Sequence, residues 1–150
     1  MLRKARLNDI RQIQNLINFY AKKDLMLLRS LDELYQGLRD FWVEEKNDRI
    51  VGCAALHIIG WDNLAEIKSL AVNQKFQKQG IAKDLVFKCI NDAKDLGIKK
   101  IFVLTYKPEF FKKFGFKKIS HKALPHKIWV ECIKCAKFPD CNEIALAKQL

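Results

Sequence analysis

The stretch FQKQGIAKDLV, residues 76–86, places small, amide and cationic residues directly before an apolar periodic run. It follows a strand-like segment, so Gly80 and Ala82 would lie where a helix begins and presents unpaired backbone N–H groups. Those donors and the helix dipole favour a pyrophosphate or another anion, and Lys78 and Lys83 add positive charge. Gly80 also lets a ligand approach the backbone closely. The alternative is an ordinary turn with a helix-capping glycine, and these residues alone do not decide between the two.

A second group with chemical potential is three thiols within ten residues, Cys132, Cys135 and Cys141. With His121 or His126 as a fourth ligand they would form a structural zinc site. A redox-sensitive disulfide and free, packed thiols are the alternatives, and the lack of a second cysteine doublet favours free thiols.

The elements that must position these groups begin with two helices. Asn8 or Asp9 can cap the first helix, and Ser30 with Glu33 fits a capping box that opens the second. The connection between the helices carries apolar and cationic residues together, as functional loops often do. The residues expected on the buried faces are Ile10, Ile13, Leu16, Ile17 and Tyr20 in the first helix and Leu31, Leu34, Tyr35 and Leu38 in the second.

After these helices the sequence predicts antiparallel strands, then a strand–helix–strand unit, then a short helix and a strand. Apolar alternation predicts strands at 41–46 and 50–59 around an Asn47-Asp48 turn, and a third strand at 64–72. The remaining elements expected are a helix at 80–96 ended by Gly97, a strand at 99–106, a short helix from Pro108, a strand at 115–120, and a final strand or helix at 142–150. This order predicts an α/β (α+β) domain with a mixed, mostly antiparallel central sheet flanked by helices.

Composition narrows the classes of protein. A chain of 150 residues that is half apolar fits one domain, residues 1–150, closed by a cysteine-rich tail at 128–150. Cys53 and Cys89 lie in apolar runs and are expected in the core. No signal peptide or membrane span is evident, which predicts a cytoplasmic protein without a membrane partner. The net charge of +11 is scattered, and no nucleic-acid-binding motif accompanies it, so a basic nucleic-acid-binding module is kept only as the alternative.

Two motifs in order carry a family resemblance. Gln77-x-x-Gly80-x-Ala82, preceded by SLAV, resembles the acetyl-coenzyme A signature of the GNAT superfamily of N-acetyltransferases, and FFKKFGF, residues 110–116, resembles its second, aromatic motif. The resemblance implies the GNAT fold and acetyl-CoA as co-substrate, with no metal required for catalysis. The cofactor-binding residues that it implies are Leu70, Ala71, Val72, Gln77, Lys78, Gln79, Gly80, Ile81, Ala82, Lys83, Phe110 and Phe111.

The same resemblance assigns catalytic roles. The backbone N–H of Val72 would stabilise the tetrahedral oxyanion, and Glu66 on the same strand would act as general base. By strand periodicity Glu66 and Lys68 should share a face, so the alternative for Glu66 is a surface carboxylate paired with Lys68.

The general acid is left open by one departure from the family pattern. Many members carry a Tyr in the second motif that protonates the leaving thiolate, but Phe111 stands at that position. Tyr106, Thr105 or water are the substitutes considered.

Five segments resemble a subgroup, the short single-domain bacterial N-acetylglutamate synthases: MLLRS, AEIKSLAV, TYKPEFFKKFGF, LPHKIW and ECIKCAKFPDC. This resemblance implies acetylation of L-glutamate, the first step of arginine biosynthesis. A dianionic acceptor needs cationic groups, and Arg29, Lys68 and Lys127 are the candidates, with His126 as a possible neighbour. Another small amine or a protein amino group is the alternative acceptor, and a homodimer is one state compatible with the sequence.

Overall fold

The computed structural model of the protein describes residues 1–61, 63–124, 132, 135 and 141–150. Along these ranges a short strand precedes two N-terminal α-helices, three consecutive strands follow them, and strands and α-helices alternate after that until the last two strands. The strands are β1 (Leu2–Lys4), β2 (Phe41–Lys46), β3 (Arg49–Ile58), β4 (Leu64–Val72), β5 (Lys100–Thr105), β6 (Lys117–Ile119) and β7 (Ile144–Gln149). The α-helices are α1 (Ile10–Ala21), α2 (Leu31–Gln36), α3 (Ile81–Asp95) and α4 (Pro108–Lys112).

The chain divides into two compact units. The first comprises Met1–His57 and Ile67–Asp92, and the second comprises Ile58–Glu66 and Ala93–Leu150. The assignment of residues 1–150 to one domain stays a prediction.

In the first unit, hydrogen-bonded neighbours follow the order β1, β2, β3, β4. β1 and β2 pair antiparallel, as do β2 and β3, with Phe41 opposite Ala55. Asn47 and Asp48 make the predicted hairpin turn, and both have the positive φ that a tight turn of this hand requires. The apolar face of α1 packs into the core of this unit. That core contains Ile10, Ile13, Leu16, Ile17, Leu34, Phe41, Val43, Ile50, Cys53, Ala55 and Ala71.

In the second unit, the order is β4, β5, β7, β6. β4 pairs with β5 in parallel, with Leu64 opposite Lys100, whereas β7 pairs antiparallel with both β5 and β6. Its core contains Ile59, Leu64, Phe102, Leu124, Ala145 and Ala147. A mixed sheet in which antiparallel pairs predominate is therefore confirmed, and the segment at 142–150 contributes a strand, not a helix.

Three details differ from the expectations. The three-residue strand β1 was not anticipated. Neither Asn8 nor Asp9 caps α1 through its side chain, because the Asp9 carboxylate is hydrogen-bonded to Arg3 and to the Arg6 backbone instead. Tyr35 does not lie on the buried face of α2, since 48% of its side chain is exposed. The Ser30–Glu33 capping box is confirmed.

Candidate active site

The loop between β4 and α3, in the first unit, is the candidate anion cradle. Lys78 and Gly80 both have left-handed backbone, with φ of +63° and +85°. The first helical hydrogen bond runs from the N–H of Asp84 to the carbonyl of Gly80, at 3.0 Å. The N–H groups of the preceding turn, at Ile81, Ala82 and Lys83, therefore lack intrahelical acceptors, as at any helix start. These donors and the helix dipole suit a phosphate group.

Gly80 serves this loop in two ways. Its positive φ is a conformation that a side chain would strain, and a Cβ built on it would meet nothing within 4 Å. The space beside its backbone is thus free for a ligand.

Gly52 of β3 lies directly against the first turns of α3, and the sequence reasoning missed it. A Cβ at Gly52 would lie 2.8 Å from Cγ2 of Ile81 and 3.2 Å from Cδ1 of Leu85. Only a glycine lets the first turns of α3 pack this closely on the strand. A glycine within the apolar run RIVGCAALHI was the available signal.

The end of β4 is tied to the loop by a side chain from α1. The Tyr20 hydroxyl donates to the backbone carbonyl of Val72 and accepts from Nε2 of Gln77 at 2.7 Å. Asn73 continues from Val72, and its side chain accepts from the N–H of Lys75 at 3.0 Å. Tyr20 was expected only as a buried-face residue, and its hydrogen bonds join positions far apart in the sequence.

Glu66 is one of three buried polar or charged residues in the described part of the chain, together with Asp9 and Ser69. It lies on the part of β4 that belongs to the second unit, opposite Phe102 of β5, and only 3% of it is exposed. Glu66 is therefore not a surface carboxylate, whereas its pairing with Lys68 stays a prediction. Farther along β4, Ser69 has a φ of +57°, so the simple alternation of side chains cannot be extended across it.

The second motif forms α4 and the turn after it, in the second unit. Phe111 is buried and packs edge-to-face against Phe110 and Phe116, with ring centroids 5.0 and 5.7 Å apart. The side chain at this position is therefore an apolar core group with no proton to give. The hydroxyl of Tyr106 donates to Oδ1 of Asn142 at 2.9 Å, and Oγ1 of Thr105 accepts from the N–H of Lys107 at 2.9 Å.

Comparison with known proteins settles the family. The model of the acetyltransferase (GNAT) family matches residues 7–116. The chain belongs to the GNAT family of acetyltransferases. It is therefore an acetyl-CoA-dependent N-acetyltransferase with the GNAT fold, as the two motifs predicted.

Relatives and solved structures add detail about what this acetyltransferase resembles. It is 38% identical over 149 residues to an uncharacterized N-acetyltransferase of Chlorobaculum tepidum, a match covering 99% of this chain and 96% of the relative. It is 35% identical over 134 residues to an amino-acid acetyltransferase of Mycobacterium tuberculosis, covering 87% of this chain and 76% of the relative.

Several solved structures match the whole chain, among them two complexes with CoA. A Mycobacterium tuberculosis protein in complex with CoA and NLQ has a TM-score of 0.85 and 31% identity, and 99% of that protein is covered. The N-acetylglutamate synthase of Neisseria gonorrhoeae, complexed with coenzyme A and N-acetyl-glutamate, has a TM-score of 0.90 and 28% identity. This chain spans 35% of the length of that synthase.

Of the residues predicted to bind the acceptor, the structure describes Arg29 and Lys68. The Arg29 side chain is 20% exposed, with Nη1 3.3 Å from Oε2 of Glu33. Its backbone carbonyl accepts from Nε2 of Gln14 on α1 at 3.2 Å, which anchors the loop between α1 and α2. Lys68 is half-buried on β4. Lys127 and His126 lie outside the described residues.

The cysteines fall into two groups. Cys53 and Cys89 are core residues as expected, and burial raises the pKa of each thiol to about 12. Cys135 donates its backbone N–H to the carbonyl of Cys132 at 2.9 Å. Among the described residues, no three His, Cys, Asp or Glu side chains are grouped so that they could hold a metal ion, and the zinc site with Cys141 stays a prediction.

None of the helices in the described ranges combines the length and the apolar character needed to cross a bilayer.

Proposed function

We propose that this GNAT acetyltransferase transfers the acetyl group of acetyl-CoA to the α-amino group of L-glutamate, the first step of arginine biosynthesis. The observation that carries the proposal is the match of the whole chain to a synthase solved with coenzyme A and N-acetyl-glutamate. The 35% identity to an amino-acid acetyltransferase supports the same class of acceptor.

The donor would be held by backbone groups. The N–H groups at 81–83 would bind the pyrophosphate of acetyl-CoA, and the backbone of Leu70–Val72 would pair with the pantetheine arm like an added strand. The N–H of Val72 would then polarise the thioester carbonyl and stabilise the oxyanion that forms on it. Support comes from the helix start at Ile81 and the open space beside Gly80.

The base would be Glu66. An ammonium ion is not nucleophilic, so a carboxylate must first take a proton from the amino group, directly or through water. The nitrogen then attacks the thioester carbon, the C–S bond breaks, and the CoA thiolate leaves with a proton from water or from Tyr106. Its place on β4, the strand that also carries Val72, supports this role.

The two carboxylates of glutamate would be held by cationic side chains. Arg29 can make a bidentate contact, and its present partner, Oε2 of Glu33 at 3.3 Å, is distant enough to be exchanged for a substrate carboxylate. Lys68 and Lys127 are the further cations proposed for the acceptor.

A thiol-release assay tests the acceptor. Purified protein with saturating acetyl-CoA is offered L-glutamate, L-glutamine, L-aspartate, L-lysine and a lysine-containing peptide, and free CoA thiol is followed with a chromogenic reagent. The proposal expects kcat/KM for L-glutamate to exceed that for the other acceptors by about 10-fold or more, since charged hydrogen bonds discriminate at that level. Equal rates for all acceptors, or a preference for L-lysine or the peptide, would replace glutamate with a different amine.

A further inference from the structure

Tyr20 connects three elements of the first unit at the donor side. Its ring is at the C-terminal end of α1, and its hydroxyl reaches the last residue of β4 and the loop that follows. It donates to the Val72 carbonyl and accepts from Nε2 of Gln77 at 2.7 Å. The two partners are 52 and 57 residues away in the sequence.

The hydroxyl lies on a defined edge of β4. The N–H of Asn73 donates to the carbonyl of Val51 on β3, at 2.8 Å. Because the Val72–Asn73 peptide is trans, the Val72 carbonyl must point the opposite way, toward the edge of β4 that faces away from β3. In an extended strand the N–H and the carbonyl of one residue point to the same edge. The Tyr20 hydroxyl therefore stands on the same edge as the N–H of Val72.

The protonation state of Tyr20 suits this bridge. Burial raises the pKa of its phenol, and the hydrogen bond from Gln77 acts in the other direction without cancelling the rise. The phenol is therefore protonated at neutral pH and can donate to a carbonyl. Its oxygen lone pair is then available to the Gln77 amide, so both bonds form at once.

We propose that Tyr20 is a positioning residue for acetyl-CoA: its hydroxyl fixes the backbone edge at Val72 and the Gln77 side chain relative to each other, so that the cofactor meets a pre-formed site. Without the hydroxyl, the strand end and the loop must be ordered by the cofactor itself, and part of its binding free energy is used for that ordering. The proposal rests on the placement of acetyl-CoA given under the proposed function, and it does not depend on which amine is acetylated.

The test uses Tyr20→Phe in the full chain and measures the Kd for CoA by calorimetry without any acceptor. The ring and its edge-to-face contact with Phe19 at 5.1 Å are kept, so only the hydroxyl is lost. We expect the Kd for CoA and the KM for acetyl-CoA to rise about 10-fold, since two hydrogen bonds disappear. The KM for the acceptor should stay within about 2-fold of wild type. The acidic limb of the pH–rate profile should keep its wild-type position. Tyr35→Phe, which alters an exposed tyrosine on α2, is the matched control and should bind CoA like the wild type.

A double-mutant cycle separates positioning from general destabilisation. Gln77→Leu should itself weaken CoA binding, and Tyr20→Phe combined with Gln77→Leu should be little worse than the poorer single variant, because both act on one bridge. Gln77 is exposed, so Gln77→Leu keeps the inference testable even if Tyr20→Phe folds poorly.

Two results would overturn the inference: Tyr20→Phe binding CoA within 2-fold of wild type, or effects of the two substitutions that multiply. Because CoA binding is measured without an acceptor, a wrong assignment of glutamate leaves this result unaffected. Wild-type protein that acetylates only another amine would overturn the proposed acceptor and not the role of Tyr20.

Discussion

Glu66 and Asp9 are both buried carboxylates, and we propose a catalytic role only for Glu66. Asp9 receives two hydrogen bonds from the Arg3 guanidinium, at 2.8 and 3.0 Å, which accounts for its burial structurally. Glu66 lies on β4, the strand that also carries the proposed oxyanion donor Val72. Under the proposed function, its position on the same strand as this donor makes Glu66 the candidate base.

The first prediction concerns Glu66→Gln. The amide keeps the shape of the side chain but cannot take a proton, so kcat should fall by about 10²- to 10⁴-fold. The Kd for CoA should stay within about 2-fold of wild type. The measurement is kcat/KM for L-glutamate between pH 5.5 and 9. Asp95→Asn, an equivalent change at an exposed carboxylate at the end of α3, is the control. A variant that keeps wild-type turnover and the same pH profile would remove Glu66 as the base.

The second prediction concerns Arg29→Lys, which keeps the positive charge and loses the planar guanidinium group with its paired N–H donors. We expect the KM for L-glutamate to rise about 10-fold or more, with the KM for acetyl-CoA nearly unchanged, because the guanidinium is proposed to bind the acceptor carboxylates and not the cofactor. Steady-state kinetics with each substrate varied in turn make the measurement. Arg11→Lys on the exposed side of α1 is the matched control. An equal rise in both KM values would indicate a general disturbance of the loop.

The third prediction concerns Cys53 and Cys89. Burial raises the pKa of each thiol to about 12, so only about 1 in 10,000 of each is thiolate at pH 8. A thiol-specific alkylating reagent at pH 8 should leave both unmodified in the native protein and modify them after denaturation, as read by peptide mass mapping. Rapid native labelling of either would contradict the packing of α3 and β3 described above.

Residues within a local sequence motif were easier to predict than residues whose role depends on a contact between distant parts of the chain. Gly80, Ala82 and their neighbours lie where the first motif places them, at the start of α3. Tyr20 was recognised only by its helical periodicity. Its partners Val72 and Gln77 come from another part of the chain, and nothing local in the sequence indicates which side chain a folded α1 brings to them.

At the scale of elements, the proposed cofactor site depends on where the first turn of α3 lies against β3. Its first turn supplies the proposed phosphate donors, and the contact of Ile81 and Leu85 with the backbone of Gly52 sets its height above β3. Helix packing at this distance leaves no room for an added methyl group. The position of the cradle therefore depends on a glycine in a strand that carries none of the motif residues.

The fourth prediction follows from this contact. Gly52→Ala would place a Cβ 2.8 Å from Cγ2 of Ile81, and we expect relief of the clash to shift this side chain and with it the start of α3. We expect a loss of about 1–3 kcal/mol in the free energy of unfolding, and a KM for acetyl-CoA raised more than the KM for the acceptor. Urea denaturation and steady-state kinetics are the measurements. Combining it with Ile81→Ala, which removes Cγ2, should destabilise less than the sum of the two single changes. Full additivity would show that the clash is relieved elsewhere.

The longest helix was predicted closely, whereas short elements were found in some places and missed in others. The 15-residue helix α3 has a periodic apolar face and a terminating glycine, Gly97 with φ of +83°, and the prediction at 80–96 differs from it by one residue at each end. β1 has three residues, too few to show alternation, and is defined only by its pairing with β2. The last segment, 142–150, allowed a strand or a helix in the sequence, and its pairing with β5 decided for a strand.

At the scale of the whole molecule, the dominant electrostatic fact is the net charge of +11. Acidification protonates the 17 Asp and Glu residues and adds to the self-repulsion of the folded chain. Against this background a few carboxylates gain stability from specific partners. The best defined is Asp9, which shares the half-buried guanidinium of Arg3 with Glu45. Nη1 of Arg3 is 2.8 Å from Oδ2 of Asp9, and Nη2 is 2.9 Å from Oε1 of Glu45.

The last prediction is the pH dependence of this cluster. Burial alone would raise the pKa of Asp9, but the hydrogen bonds from Arg3 and from the Arg6 backbone outweigh it and hold the pKa below its ordinary value. A folded-state pKa below the unfolded value gives stability that is complete above about pH 4 to 5 and is lost as the pH falls through the folded value. Asp9→Asn should therefore cost about 1–3 kcal/mol of unfolding free energy at pH 7 and progressively less toward pH 3.

Urea denaturation of wild type and Asp9→Asn at pH 7, 5, 4 and 3, at constant ionic strength, makes the comparison. Asp48→Asn in the exposed β2–β3 turn removes the same charge without the Arg3 contact, and it should follow the wild-type pH dependence. The general self-repulsion is common to all three proteins, so the convergence of Asp9→Asn with wild type at low pH isolates the ion pair. A difference between them that stays constant from pH 7 to pH 3 would mean that Asp9 contributes through packing and its hydrogen bond to Arg6, and not through the charge of Arg3.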